Sequence, residues 1–171
     1  MTTHRTDAHL ISMVQEFCKL PAETPWLEFK QDNGDPEQIG EYISALSNAA
    51  TLAGRDCGYL VWGIGNTTHE IVGTSFNPGK AKGNEDLETW LLIRLNPSLH
   101  FQFYTLSIEG KTVVMLEVPK ASSKPTSFHH VDYTRVGANK KWLKEFPDQE
   151  RALWRAFDSS SFEEQIPPVS G

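Results

Sequence analysis

Seven consecutive residues, Gly58-Tyr-Leu-Val-Trp-Gly-Ile64, make a near-continuous apolar run. A strand with one wet face alternates apolar and polar residues, so a run without alternation reads as a central strand covered on both faces. Such a strand needs a sheet around it and other elements packed against that sheet. The chain is long enough for this: 171 residues fit one domain with a sizeable core. With 39% hydrophobic and 22% charged residues, the composition excludes a disordered or fibrous chain. No apolar run approaches the roughly 20 residues that cross a bilayer, so no membrane partner is expected. The N-terminus carries no apolar signal core, and the expected compartment is the cytoplasm.

Elements follow from periodicity. From Asp7 to Leu20, residues Leu10, Ile11, Val14, Phe17 and Cys18 recur at helical spacing, and Pro21 marks the end. From Trp26 the pattern alternates, with Leu27 and Phe29 on the core face and Trp26, Glu28 and Lys30 on the other. Asp35 is an N-cap and Pro36 suits the first helical position. Ile39, Tyr42, Ile43, Leu46, Ala49 and Ala50 then form an apolar stripe that Gly54 stops. Glu70–Thr74 is a candidate hairpin partner of the central strand, and a third helix runs from Asn84, its cap, to Leu95. Strands follow at Phe101–Ile108, Lys111–Val118 and Phe128–Val136, the first two joined by a Glu109-Gly110 turn. A last helix covers Asp148–Phe157, with Leu153, Trp154 and Phe157 on one side.

The reading is an α+β fold, a mostly antiparallel sheet with packed helices. Residues 7–157 form the domain, and 158–171 form a tail or a linker to a further C-terminal domain. Leu27, Phe29, Leu60, Val61, Ile64, Val113, Met115 and Leu116 are expected in one core, and Trp62, Trp90 and Trp154 within the apolar interior.

The net charge of −6 argues against binding nucleic acid through bulk charge. Its distribution is uneven. Residues 1–110 hold 7 Lys and Arg against 14 Asp and Glu, a balance of −7, whereas residues 111–157 hold 9 against 5, a balance of +4. Arg135, Lys140, Lys141 and Lys144 therefore form a candidate positive patch for phosphates. Trp26 is a candidate for stacking on a base. The two cysteines, Cys18 and Cys57, are too isolated for a disulfide framework, and no histidine stands at metal-ligand spacing from either. No structural zinc is expected.

The chain has no phosphate-binding loop, no dinucleotide fingerprint and no nucleophile elbow. What remains is a carboxylate pair, Glu23 and Glu28, with Lys30 nearby. On a regular strand this spacing would place the two carboxylates on opposite faces. Pro25 disfavours that strand, which leaves Glu23 on the preceding loop, free to swing toward Glu28. Paired carboxylates with a lysine suit a divalent ion that activates water against a phosphodiester.

Several segments together carry a resemblance: Glu23-x4-Glu28-Phe29-Lys30, Gly40-Glu-Tyr-Ile-Ser-Ala-Leu-Ser-Asn-Ala49, and the Gly58–Ile64 run. To these add Ile71-Val-Gly-Thr74, Gly83-Asn-Glu-Asp-Leu-Glu-Thr-Trp90 and Tyr133-Thr-Arg-Val-Gly-Ala-Asn-Lys-Lys141. From about Glu16 to Phe157 the chain resembles the Schlafen AlbA-like domain. The resemblance implies an α+β nucleic-acid-binding fold, found in bacterial transcriptional regulators and in the core of animal Schlafen endoribonucleases that act on transfer and ribosomal RNA. It matches Glu23 and Glu28 to catalytic carboxylates. A third acidic position falls at Gly65 or Asn66, and neither residue is acidic.

The expected function is nucleic-acid binding, to DNA or RNA, in a regulatory role. The alternative is a metal-dependent endoribonuclease acting on structured RNA, with Glu23, Glu28, Lys30 and Asn66 as catalytic residues. Its cofactor would be Mg2+ or Mn2+, held by Glu23, Glu28 and the neutral oxygen of Asn66. A second alternative, an ATP-responsive domain of a transcriptional regulator, rests on the resemblance alone.

Overall fold

Alternation and helical stripes become elements in a computed structural model, which describes residues 6–79, 81–82 and 85–165. In chain order these are α1 (Asp7–Phe17), β1 (Leu27–Lys30), α2 (Pro36–Leu52), β2 (Cys57–Trp62), β3 (Ala81–Lys82), β4 (Glu85–Asp86), α3 (Leu87–Arg94) and β5 (Leu95–Asn96). After these come β6 (Gln102–Ile108), β7 (Lys111–Pro119), β8 (Ser127–Phe128), β9 (Val131–Val136), β10 (Asn139–Trp142) and, beyond a short 3-10 turn at Leu143–Glu145, α4 (Pro147–Gln165). Among the described residues, no helix is long and apolar enough to cross a membrane.

The apolar run forms β2, inside a sheet of order β1-β2-β7-β6. β1 pairs with β2 in parallel, Phe29 opposite Val61, which requires a crossover connection, and α2 is that crossover. The other two pairings are antiparallel. Both faces of the sheet are covered, as the unbroken run implies. Leu60, Trp62, Val114, Leu116 and Val118 meet α2, α3 and Phe128 on one face. Leu27, Phe29, Tyr59, Val61, Ile64, Val113 and Met115 meet α1 on the other. All eight expected core residues are buried. They divide between two layers, however, because successive residues of a strand point to opposite sides.

A second sheet, order β10-β9-β8-β5, packs on α2. Helix α2 is thus buried on two sides, and its second side is polar. Ser44 Oγ donates to Thr126 O at 2.6 Å and accepts from Tyr133 N at 2.9 Å. Asn48 closes a three-bond network: its amide donates to Thr126 O (3.0 Å) and Tyr133 O (2.7 Å), and its oxygen accepts from Thr126 N (2.8 Å). Gly40, Ser44, Ser47 and Asn48 recur at helical spacing, a stripe of small and polar residues that could have revealed this second packed face.

Gly40 lies against the ring of Phe128, so that an added methyl would overlap the ring. The ring cannot yield: it is 1% exposed and wedged against Trp90 and His129. Gly40→Ala is therefore expected to lower stability by about 1–3 kcal/mol despite the better helix propensity of alanine. Urea unfolding checks this, and a variant as stable as wild type would refute the packing described.

Some expected boundaries shift. α3 is capped by Asp86, whose side chain accepts from Thr89 N at 2.7 Å; Asn84 lies outside the described residues. Glu70–Thr74 contributes a single bridge, Ile64 to Ile71, rather than a strand. The Phe128–Val136 strand is broken at His129 and His130, both at positive φ, which turns β8 back into β9. β10 was not expected; Gly137, at φ +62°, makes the turn into it. α4 continues beyond Phe157 through the serine run, since an established helix gains a hydrogen bond with each added residue. Trp154 is 44% exposed, not core. Leu153 and Phe157 take the buried side of α4 against Leu143 and Ala121.

Candidate functional site

β1 is an edge strand, and its alternation turns Leu27 and Phe29 toward α1 and presents Glu28 and Lys30 on the opposite side. There α2 and the β9–β10 hairpin close in. Glu28 pairs with Arg135 of β9 at 3.0 Å, the Arg135 side chain being 1% exposed and the Glu28 side chain 17%. The same guanidinium donates to Leu27 O at 3.3 Å, while its Nε and Nη1, equally buried, have no hydrogen-bond partner among the described residues. Lys140 of β10 reaches Glu41 at 2.6 Å and donates to Gln38 at 3.2 Å. The ammonium groups of Lys30 and Lys140 both lie over the Tyr42 ring, at 4.8 and 4.6 Å from its centroid.

Burial dominates the electrostatics of the Glu28–Arg135 pair. It pushes the Glu28 carboxyl above its ordinary pKa, although Arg135, Lys30 and Lys140 all pull the other way. It also lowers the Arg135 pKa, with Glu28 opposing. For each group, the loss of water outweighs the attraction of the partner.

A small cleft of about 130 Å³ adjoins Glu28, lined by Pro21, Ala22, Leu27, Phe29, Asn66, His69 and Ala138 as well. The structure thus brings Glu28 and Asn66 to one cavity. Glu23 is exposed, in the turn whose neighbours Pro21 and Ala22 line that cavity. This donor set fits a divalent ion poorly. An ion on Glu28 would compete with Arg135 and face two more cations, with a neutral amide as its neighbour. Among the described residues, no three His, Cys, Asp or Glu side chains are grouped to hold a metal.

The four cations of the expected patch have different fates. Arg135 is inside and Lys140 is tied to Glu41, whereas Lys141 and Lys144 are exposed. Between them Trp142 is 45% exposed, with Lys144 Nζ 4.7 Å from its ring centroid. Trp26 does not share the Glu28 face. It precedes β1, packs with the layer of Leu27 and Phe29, meets Phe17 and Tyr59 edge-on, and carries the Arg55 guanidinium 3.7 Å above its ring. Sequence reasoning missed Gln38, Glu41 and the site role of Tyr42. Tyr42 sits in the apolar stripe of α2, where a ring that seats two ammonium groups looks like ordinary core.

Comparison with known proteins adds the following. A family model described as "Schlafen, AlbA_2" matches residues 23–144. Among solved structures, the DIP2311 protein of Corynebacterium diphtheriae is 18% identical with a TM-score of 0.55, over 85% of this chain and 29% of that one. The N-terminal domain of a protein of Nitrosomonas europaea related to the ATP-dependent DNA helicase RecG is 22% identical with a TM-score of 0.48, over 81% and 93%. The first likeness shows a shared fold, and this chain spans less than a third of that protein's length. No curated protein matches the chain.

Proposed function

Because the chain belongs to the Schlafen AlbA_2 family, we propose that it binds nucleic acid, through the surface at the end of β10. One observation carries this reading: an indole nearly half exposed, Trp142, flanked by the exposed Lys141 and Lys144. An aromatic face offers stacking to an unpaired base, and adjacent ammonium groups pair with the phosphates on either side. The acidic remainder of the chain limits binding to this local field.

The test is fluorescence anisotropy of a labelled single strand across a salt series. Replacing Lys141 and Lys144 with alanine removes two phosphate contacts. The plot of log K against log salt should become shallower by about 1.4. Trp142→Ala should weaken binding by about 1–3 kcal/mol with the slope unchanged, because stacking releases no counterions. An unaltered slope in the double variant would move the binding face elsewhere.

A second reading, cleavage of RNA at Glu28, is favoured by the shared cleft of Glu28 and Asn66 and by a carboxyl raised toward the range of acid–base work. On the binding reading, wild-type protein leaves transfer RNA intact with and without Mn2+. Cleavage that Glu28→Gln abolishes would put hydrolysis first.

A further inference from the structure

Among the described residues the two main sheets have four outer edges, and three of them are blunted. β1 is four residues long, carries Glu28 and Lys30, and has its Leu27 carbonyl taken by Arg135. β10 carries Lys140 and Lys141, and β5 is two residues long and followed by Pro97. Short strands, charges and prolines keep an edge from pairing with another chain. β6 has none of them. Its seven residues, Gln102-Phe-Tyr-Thr-Leu-Ser-Ile108, include no charge and no proline, and they pair with β7 one for one without a bulge. We propose that β6 is a self-association edge: two copies of this chain pair antiparallel along it, about a twofold axis at Thr105, and join their four-stranded sheets into one. The inference does not rest on the nucleic-acid reading above.

The backbone supplies the donors and acceptors. Glu109 and Gly110, both at positive φ, make a two-residue turn that closes on the facing pair Ile108 and Lys111. In an antiparallel ladder such a closing pair exchanges both of its hydrogen bonds, and bonded and non-bonded pairs then alternate. Gln102, Tyr104, Leu106 and Ile108 therefore direct their N–H and C=O groups to β7, while those of Phe103, Thr105 and Ser107 point outward. Among the described residues, none of these three has a backbone hydrogen bond to any further segment. A second copy of the same strand is their complement. Centred on Thr105, the antiparallel register sets Phe103 against Ser107, Tyr104 against Leu106 and Gln102 against Ile108, and the outward groups of both strands meet. Tyr104, Leu106 and Ile108 belong to the layer shared with α1, so their pairing extends that layer across the axis. On the other side Thr105 meets its own copy, hydroxyl to hydroxyl. A slip of one residue would turn these side chains to the wrong face. The charges agree with the register too. No facing pair brings like charges together, and the exposed Glu109 of each copy falls beside the exposed His100 of the other.

Sedimentation velocity over a concentration series gives the mass of wild type, Thr105→Lys, Thr105→Glu and an equimolar mixture of the two variants. Thr105 is exposed and lies at the axis, so either variant sets like charges opposite each other and leaves the core of the single chain untouched. Thermal melts confirm that both variants fold. Wild type should pass from the mass of one chain to that of two as concentration rises. Each variant alone should raise the dimer dissociation constant by at least about tenfold, and mixing them should restore association. Hydrogen exchange gives a second readout. The amides of Phe103, Thr105 and Ser107 should slow with concentration, while those of Tyr104 and Leu106, bonded to β7, stay protected throughout. A wild type that remains a monomer up to about 1 mM overturns the proposal and leaves the edge to an extended segment of another protein. A dimer that ignores charge at Thr105, or that the mixture fails to restore, overturns the pairing as well.

Discussion

Replacing Glu28 with alanine is expected to destabilise the protein by about 3–5 kcal/mol, more than replacing Arg135 with methionine does. The asymmetry follows from the chemistry of the two partners. Without Glu28, the Arg135 guanidinium remains inside with no counter-charge, and it cannot shed its proton. Without Arg135, the partly exposed Glu28 can take up a proton and become neutral. Urea unfolding of both variants near pH 7 measures the order, and an Arg135→Met loss equal to or greater than that of Glu28→Ala would contradict it. The direction of the Glu28 shift adds a pH signature. Its folded-state pKa is raised, so its contribution to stability is full below the ordinary carboxylate range and is lost as pH rises through the raised value. Glu28→Gln removes that titration. Its stability should fall less, or rise more, than wild type as pH climbs above the ordinary carboxylate range.

The other large effect is expected at Asn48, a fully buried neutral amide. Asn48→Ala removes three hydrogen bonds and takes the amide partner from Thr126 N and Tyr133 O inside the α2 interface, while Thr126 O keeps only the Ser44 hydroxyl. At about 1 kcal/mol for each, the loss is about 3 kcal/mol, and leucine should not restore it, because the orphaned backbone groups remain. The network also holds the second sheet on α2, and that sheet brings Arg135 and Lys140 to Glu28. Asn48→Ala should therefore speed hydrogen exchange at Thr126 and Tyr133 before it affects β2. A loss under about 1 kcal/mol would mean that the network is dispensable.

The amino-acid sequence by itself determined what local periodicity can determine. The Gly58–Ile64 run specified a strand covered on both faces, and the alternation from Leu27 specified that Glu28 and Lys30 share the side opposite the α1 core. Asp35-Pro36, the apolar stripe and Gly54 located α2, and Glu109-Gly110 located the β6–β7 turn. Charge counting marked the basic segment that contains Lys141 and Lys144. The tertiary structure decided which of those cations face water. Arg135 and Lys141 are equivalent in a charge count, yet Arg135 meets Leu27 across 108 residues of chain and Lys141 stays in solvent. The same holds for Trp26, covered by Arg55, and for Trp154, left outside by the packing of Leu153 and Phe157. The small and polar stripe of α2 is present in the sequence, but its partners, Thr126 and Tyr133, are supplied by the tertiary structure alone. The physical reason is one of range. Strand alternation and helical stripes are set by neighbours within a few residues, whereas the partner of a buried charge or amide is set by which distant segments the core brings together.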